Sequence, residues 1–142
     1  MNFSSQNNVA VQAAGLAIKA GSSAVLKATN TFLYVIDGNV YSKTGADLAA
    51  LTGYTVEAGS TAVLSVYLNA SGTASYVKSV EILNAAQVTT ALFSTEQNAK
   101  ALIGRLIIRN ATASTQFVGG STVLDLSNLV VTYLDVTSVT SL

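Results

Sequence analysis

Short apolar runs separated by turn signals recur along the chain from residue 24 onward. Residues 31–36 are rich in aromatic and β-branched side chains, and residues 61–68 form a longer run of the same kind. Runs of this length, bounded by Gly, Asn, Asp and Ser, are typical of β-strands. Further strands are predicted over residues 24–28, 40–42, 54–56, 74–83, 105–109, 116–118, 122–124 and 129–136.

Three turns are predicted between these strands. Asp37 and Gly38 stand between two strand-like runs, a strong signal for a hairpin, so Asp37 is interpreted as a turn former rather than as a ligand or a catalytic acid. Residues 69–73 and the pair Gly119-Gly120 are predicted as the other two. Gly38 and Gly120 are expected to need a positive φ, and Gly120→Val is expected to reduce soluble yield.

One segment has helical character. Within residues 84–101, Ser94 is followed three positions later by Gln97, which is the spacing of a capping box. A short helix is therefore predicted there, ending before Gly104. Residues 44–52 are interpreted as a loop or weak helix.

Residues 1–23 are predicted to form an extended N-terminal arm. The segment opens with polar residues and continues with small apolar ones that lack a clear period. Such a segment often becomes ordered against a neighbouring subunit, although simple fraying remains an alternative. The expected organisation is an arm over residues 1–23 and one all-β domain over residues 24–142, built as a small antiparallel sandwich, jelly roll or barrel with at most one short helix.

The composition favours association. Hydrophobic residues make up 50% of the chain and charged residues 10%, which excludes a disordered chain. Seven basic and seven acidic residues cancel, so we expect neither nucleic acid nor a membrane surface as a partner. Fourteen charges spread thinly over a 14.5 kDa monomer favour a homo-oligomer, and a surface kept soluble by Ser and Thr is the alternative.

The chain is also expected to be soluble and unprocessed. Its apolar stretches fall short of the 18 residues or more that a spanning helix needs. Residues 9–18 make a poor secretory signal, because Gln12 and Gly15 interrupt them and no Lys or Arg precedes them.

Little conventional catalytic chemistry is available. The sequence contains no His, Cys, Trp or Pro, which removes the imidazole base, the thiol nucleophile, thiolate metal ligands and disulfides. A carboxylate pair across a cleft, as in glycosidases, is the remaining possibility, without positive support. The expectation is a protein that is not an enzyme, with no catalytic, cofactor or metal site. The acidic residues are Asp37, Asp47, Glu57, Glu81, Glu96, Asp125 and Asp135.

Other motifs give weak signals. Asp37 with Asn39, and Asp125 with Asn128, each supply two oxygen ligands, which is too few for a calcium loop. Residues 119–122 lack the Lys and the helix of a phosphate loop, so they are interpreted as a turn. Two glycosylation sequons, at residues 69–71 and 110–112, have no support from secretion. The aromatic set Phe32, Tyr34 and Tyr41 is interpreted as core or interface rather than as a platform for a sugar or a base.

Three stretches in a fixed order carry a resemblance. They are residues 32–43 (FLYVIDGNVYSK), residues 66–72 (VYLNASG), and residues 103–108 (IGRLII) followed by residues 117–125 (FVGGSTVLD) and 133–135 (YLD). The pattern resembles small virion structural proteins of tailed bacteriophages, of the capsid decoration or cement type. In that group the third stretch has an Ile-Gly-x-Ile strand, then Phe-Thr-x-Gly-Thr-Thr-x-Leu, then Tyr-x-Asp.

The resemblance covers roughly residues 31–136, with one departure. The group tends to carry Pro before the Ile-Gly strand, whereas residues 84–101 contain none. The resemblance implies a non-enzymatic decoration protein, most simply a trimer, that binds the major capsid protein on the outside of the head shell. It would be made in the host cytoplasm and located in the virion. The alternatives are a tail or head fibre module that binds a host receptor or glycan, and a carboxylate-based hydrolase.

Overall fold

Twelve strands and one 3₁₀ turn make up the regular structure in a computed structural model, which describes residues 8–83, 88–94, 97–112 and 114–138. The strands are β1 (Leu16–Ile18), β2 (Leu26–Ala28), β3 (Phe32–Ile36), β4 (Asn39–Lys43), β5 (Ala46–Asp47), β6 (Thr55–Val56), β7 (Ser60–Leu68), β8 (Ala74–Lys78), β9 (Ile82–Leu83), β10 (Ala101–Asn110), β11 (Phe117–Val118) and β12 (Leu129–Asp135), with the 3₁₀ turn over Thr90–Leu92.

All strand pairings in the described residues are antiparallel. The largest sheet has five strands, in the order β12-β10-β7-β8, with β9 paired to the other end of β7. Strands β1, β2 and β5 form a second sheet, and β3 with β4 and β6 with β11 form two-stranded ribbons. The predicted all-β class is confirmed.

The two central strands of the large sheet explain where the core lies. In β7 every residue from Thr61 to Leu68 is buried, so both of its faces are covered. Alternate residues such as Leu64 and Val66 join the main core, whereas Tyr67 lies in a second cluster on the opposite face. A strand buried on both faces is nearly continuously apolar rather than alternating. Residues 61–68 follow this pattern, with Thr61 and Ser65 as buried polar exceptions.

The predicted turns between residues 36 and 39 and around Gly120 are confirmed. Asp37 and Gly38 both have positive φ, 50° and 83°, as a two-residue hairpin turn between β3 and β4 requires. Gly120 has φ +82° in the turn that follows β11. Gly119 proves more confined than either glycine, because a Cβ there would overlap the carbonyl oxygen of Leu51.

The described part of the predicted N-terminal arm, residues 8–23, packs into the domain rather than extending away from it. Val9, Ala10 and Leu16 are buried, Ala10 forms a bridge to Tyr34, and β1 pairs with β2. Small apolar side chains without a period fill spaces between strands, which is why the pattern alone did not place this segment. Residues 1–7 lie outside the described residues.

The helix prediction over residues 84–101 is wrong for the part of that segment the structure describes. Residues 88–94 contain only the 3₁₀ turn, and strand β10 already begins at Ala101. Ala99 has φ +57°, which a right-handed helix does not allow. Ser94 does not cap a helix; its Oγ accepts a hydrogen bond of 2.7 Å from the Tyr67 hydroxyl. The segment thus covers the second face of the large sheet.

Candidate functional site

Two tyrosines stack where the β3–β4 hairpin faces the rest of the molecule. Tyr34 and Tyr41 are direct cross-strand partners, with ring centroids 5.5 Å apart and planes inclined by 26°. Tyr34 is buried, whereas Tyr41 stays partly exposed. Burial, and secondarily the neighbouring Tyr41, raise the pKa of Tyr34. The hydroxyl of Tyr34 is therefore neutral under ordinary conditions and available for hydrogen bonding.

A polar turn between β7 and β8 lies against this aromatic pair. The Tyr34 hydroxyl donates a hydrogen bond of 2.9 Å to the carbonyl oxygen of Asn69. The side-chain oxygen of Asn69 in turn accepts from the backbone N–H groups of Ser71 and Thr73 and from the Ser71 hydroxyl. Gly72 completes the turn with φ +79°. These bonds fix the turn against the hairpin. Tyr34 and Asn69, which join the two, are 35 residues apart in the sequence.

Between the hairpin and this turn lies an open pocket of about 300 Å³, here called the hairpin pocket. Its hairpin side is formed by Tyr34, Tyr41 and Lys43 together with the following residues Thr44 and Ala46, and its other side by residues 70–72. No acidic side chain lines it. Neither ion pair found among the described residues includes Lys43. The pocket thus combines an aromatic surface, hydroxyl groups and an ammonium group without a carboxylate partner.

The aromatic set singled out from the sequence is divided by the structure. Phe32 is fully buried in the core, and Tyr34 and Tyr41 line the hairpin pocket. Lys43 was not identified from the sequence, although its alternation with Tyr41 along β4 indicates a shared face. The turn over residues 69–73 was predicted and is confirmed. Its contact with the hairpin had no local signal, because it joins distant segments.

The described carboxylates are dispersed and engaged in separate contacts. The Asp37 carboxylate accepts from the side chain of Asn8, Asp47 pairs with Lys19, Asp125 accepts from the backbone of Ser22, and Asp135 accepts from the backbone of Leu16. Glu96 lies outside the described residues. No group of three acidic residues suited to a metal ion occurs in the described ranges.

Glu57 and Glu81 are the two acidic residues that the structure links directly. The Glu81 carboxylate accepts from the Glu57 backbone N–H at 2.7 Å and pairs with Lys78 at 2.8 Å. Burial alone would raise the pKa of Glu81, but the hydrogen bonds from Lys78 and Glu57 outweigh it and lower the pKa. The Glu57 carboxylate accepts from the Gln116 side chain. This arrangement accounts for both residues as surface contacts between neighbouring loops.

The first sequon occupies the turn between β7 and β8, and the second begins at Asn110, the last residue of β10. Asn110 is buried, and its side-chain nitrogen donates to the carbonyl oxygens of Val56 at 3.0 Å and Thr115 at 2.8 Å. A glycan on that nitrogen is incompatible with this folded arrangement. Asn69 is the centre of the polar turn described above. The residues after Gly119 form a turn in which Thr122 Oγ1 accepts from the backbone of Val118.

A second pocket of about 250 Å³ lies between residues 77–80 and the segment 91–94. Arg105 reaches Phe93 in this segment, with its guanidinium carbon 4.4 Å from the ring centroid, and donates to the carbonyl oxygen of Ser94 at 3.3 Å. Burial is the main reason that the pKa of Arg105 is lowered. These contacts attach the segment to the sheet and give Arg105 a structural role.

Within the described ranges, no helix has the length and apolar character needed to cross a membrane. In comparisons with known proteins, no family model, no curated protein and no solved structure matches this chain.

Proposed function

We propose that this protein is a structural component of a bacteriophage virion, of the capsid decoration or cement type. In this role, copies associate as a homo-oligomer, most simply a trimer, bind the major capsid protein on the outside of the head and stabilise the shell. The sequence resemblance over residues 31–136 supports the proposal, and so does an all-β domain of a size suited to repeated attachment. The additive effect of many weak contacts over many copies would supply the stability.

The observation that carries the proposal is an apolar patch on the outside of the β3–β4 hairpin. Leu33 and Val35 point outward from β3, and Val40 points outward from β4 beside Val35. Val11 joins them, because its backbone N–H donates to the carbonyl oxygen of Leu33. Val40 is 63% exposed and Val11 41% exposed. We call Val11, Leu33, Val35 and Val40 the outer hairpin face.

Apolar side chains grouped on an exposed sheet surface mark an association surface more often than scattered single ones do. The outer hairpin face contains no charged side chain, and the chain as a whole has few. These properties suit contact with another copy or with a shell protein, for which an apolar centre without charges is typical.

The copy number of the protein per purified virion tests the proposal. We expect hundreds of copies, measured against the major capsid protein by quantitative gel densitometry or mass spectrometry. A handful of copies would contradict a shell role and favour the tail or neck, and absence from particles would exclude a virion component.

The oligomer is tested by placing a charge on the outer hairpin face. Val40→Lys is expected to weaken self-association about ten-fold or more, because a charge buried at an apolar contact loses its hydration. Sedimentation velocity over a concentration series measures the effect. Val80→Lys is the matched control, since Val80 is 73% exposed on another part of the surface. A monomeric wild-type protein, or a Val40→Lys variant that associates as the wild type does, would refute this role of the patch.

A further inference from the structure

We propose that the hairpin pocket binds an acidic sugar, that is, a polyhydroxylated ring that carries a carboxylate. This inference goes beyond the structural role proposed above. It also gives a ligand class to the alternative of a receptor- or glycan-binding module. Three properties of the pocket support it: a free cation, two hydroxyl groups whose hydrogens are already donated within the protein, and an aromatic wall.

The cation is the ammonium group of Lys43. It belongs to neither of the ion pairs in the described residues, and no acidic side chain lines the pocket. It lies 3.7 Å from the point where a Cβ of residue 72 would stand, and residue 72 is a glycine. The missing side chain therefore leaves the ammonium open to the pocket, where an anionic group would complete its hydrogen bonding.

Two of the residues that line the pocket, Tyr34 and Ser71, have hydroxyl groups that already donate their hydrogens within the protein. Tyr34 donates its single hydroxyl hydrogen to the Asn69 carbonyl oxygen at 2.9 Å, and Ser71 donates its own to the Asn69 side-chain oxygen at 2.9 Å. A hydroxyl has one hydrogen and two lone pairs, so both groups retain lone pairs for a donor. A fully ionised phosphate or a bare carboxylate has no hydrogen to donate to them. A ligand with its own hydroxyl groups satisfies these acceptors while its carboxylate contacts Lys43.

The aromatic wall suits the apolar face of a sugar ring. Tyr41 lines the pocket, and its position is fixed by the stack with buried Tyr34. A fixed aromatic ring offers apolar contact area at little cost in conformational entropy. The volume of about 300 Å³ is at the small end for ligand sites, which favours one sugar ring at the end of a chain over an extended oligosaccharide.

Saturation-transfer difference NMR on the full-length protein tests this proposal. The probes are glucuronate and galacturonate, with glucose and galactose as neutral counterparts and acetate as a carboxylate without a ring. We expect saturation transfer to the ring protons of the uronates, affinity about five-fold weaker for the neutral sugars, and none detected for acetate. No transfer to either uronate, or equal affinity for the neutral sugars, would overturn the proposal.

Two variants connect the binding to the pocket. Lys43→Gln is expected to weaken uronate binding about five-fold and to abolish the preference over the neutral sugar. Lys100→Gln removes a lysine that does not line the pocket and is expected to leave affinity unchanged. Unaltered binding by Lys43→Gln, or an equal loss in both variants, would refute the assignment.

The outcome of the uronate-binding test does not depend on whether the protein has the proposed role in the capsid shell. Lys43→Gln is expected to keep the melting temperature of the wild type, because Lys43 has no ion pair in the described residues to lose. The copy number per virion is measured separately. Hundreds of copies per virion without uronate binding would support the structural role and refute the sugar site. Uronate binding with only a few copies per virion would support the sugar site and refute the shell role.

Discussion

Two glycines in this chain are required for different physical reasons. Gly38 adopts φ +83° in open space, so a side chain there would meet only backbone strain. Gly119 is confined instead, because a Cβ would overlap the carbonyl oxygen of Leu51. The backbone N–H of Gly119 donates to the carbonyl oxygen of Tyr54 at 2.8 Å, and Leu51 is fully buried. Neither Gly119 nor Leu51 can therefore shift without losing a hydrogen bond or core packing.

We therefore expect Gly119→Ala to lower the free energy of unfolding by about 3 kcal/mol. Gly38→Ala, which tests strain alone, is expected to cost about 1 kcal/mol. Urea denaturation of the two variants beside the wild type measures both. Equal losses, or a Gly119→Ala midpoint equal to that of the wild type, would show that the contact with Leu51 is not a constraint.

At the level of single residues, the sequence predicted backbone conformation better than it predicted steric confinement by distant residues. Positive φ at Gly38 follows from the Asp-Gly pair between two strand-like runs, which is a local signal. The confinement of Gly119 arises from Leu51, 68 positions earlier, which no local pattern indicates. The same holds for the hairpin pocket, where Tyr41 and the turn over residues 69–73 were each noted from the sequence but their contact in the fold was not.

Strand β1 is short but makes contacts that join two strands of the large sheet. It has three residues, yet the Leu16 backbone N–H donates to the Asp135 carboxylate at 3.0 Å, and the Leu16 side chain is buried beside Gly104. Gly104 lies where the pairing of β10 with β7 shifts register, and its missing side chain gives Leu16 room. The strand thus connects β12 with the middle of β10.

Leu16→Ala is expected to lower the free energy of unfolding by about 3 kcal/mol, because it leaves a cavity beside Gly104 that the backbone cannot close. Leu83→Ala is the matched control. Leu83 is 74% exposed in β9, away from the outer hairpin face, so its loss is expected to cost less than about 1 kcal/mol. Chemical denaturation compares the two, and similar losses would mean that β1 does not contribute to the core as described.

Among the element predictions, pairings of neighbouring strands were more accurate than pairings of distant ones. The strand predicted over residues 122–124 is wrong, because these residues belong to the turns after β11. The β3–β4 hairpin and the β7–β8 pair were foreseen, since each depends on a turn between adjacent runs. The pairing of β7 with β10, and the attachment of residues 88–94 over Tyr67, bring distant segments together. In the second case the Ser94–Gln97 spacing suggested a helix cap, but the Ser94 side chain is used as an acceptor for Tyr67.

For the whole molecule, tyrosines that are buried or partly buried by folding make stability depend on pH in the alkaline range. Burial, with smaller contributions from nearby groups, raises the pKa of Tyr34, Tyr76 and Tyr133. Tyr76 is the strongest case, and its hydroxyl donates to the carbonyl oxygen of Ala49 at 2.5 Å. Neutral tyrosine is thus favoured in the folded protein beyond the pH at which the unfolded chain begins to ionise.

The free energy of unfolding is consequently expected to fall as the pH rises above about 10, the ordinary pKa of tyrosine, since the unfolded state then releases protons that the folded state retains. Tyr76→Phe is expected to cost about 1 kcal/mol at neutral pH through the lost hydrogen bond, and to make the alkaline decline shallower. Urea denaturation at pH values from 8 to 11 measures both slopes. Parallel declines in the two proteins would contradict the assignment to Tyr76.

The contact between the beginning and the end of the described chain also has a consequence for biosynthesis. The carbonyl oxygen of Ala10 accepts from the backbone N–H of Ser138, and the backbone N–H of Leu16 donates to the Asp135 carboxylate, so this segment completes its structure only against residues at least 119 positions later. At translation rates of about 5–20 residues per second, the nascent chain waits on the order of ten seconds before these partners leave the ribosome. For part of that interval the valines and leucines of β7 have been synthesised without their neighbouring strand β10, so shielding of the nascent chain is expected to raise the yield of folded protein.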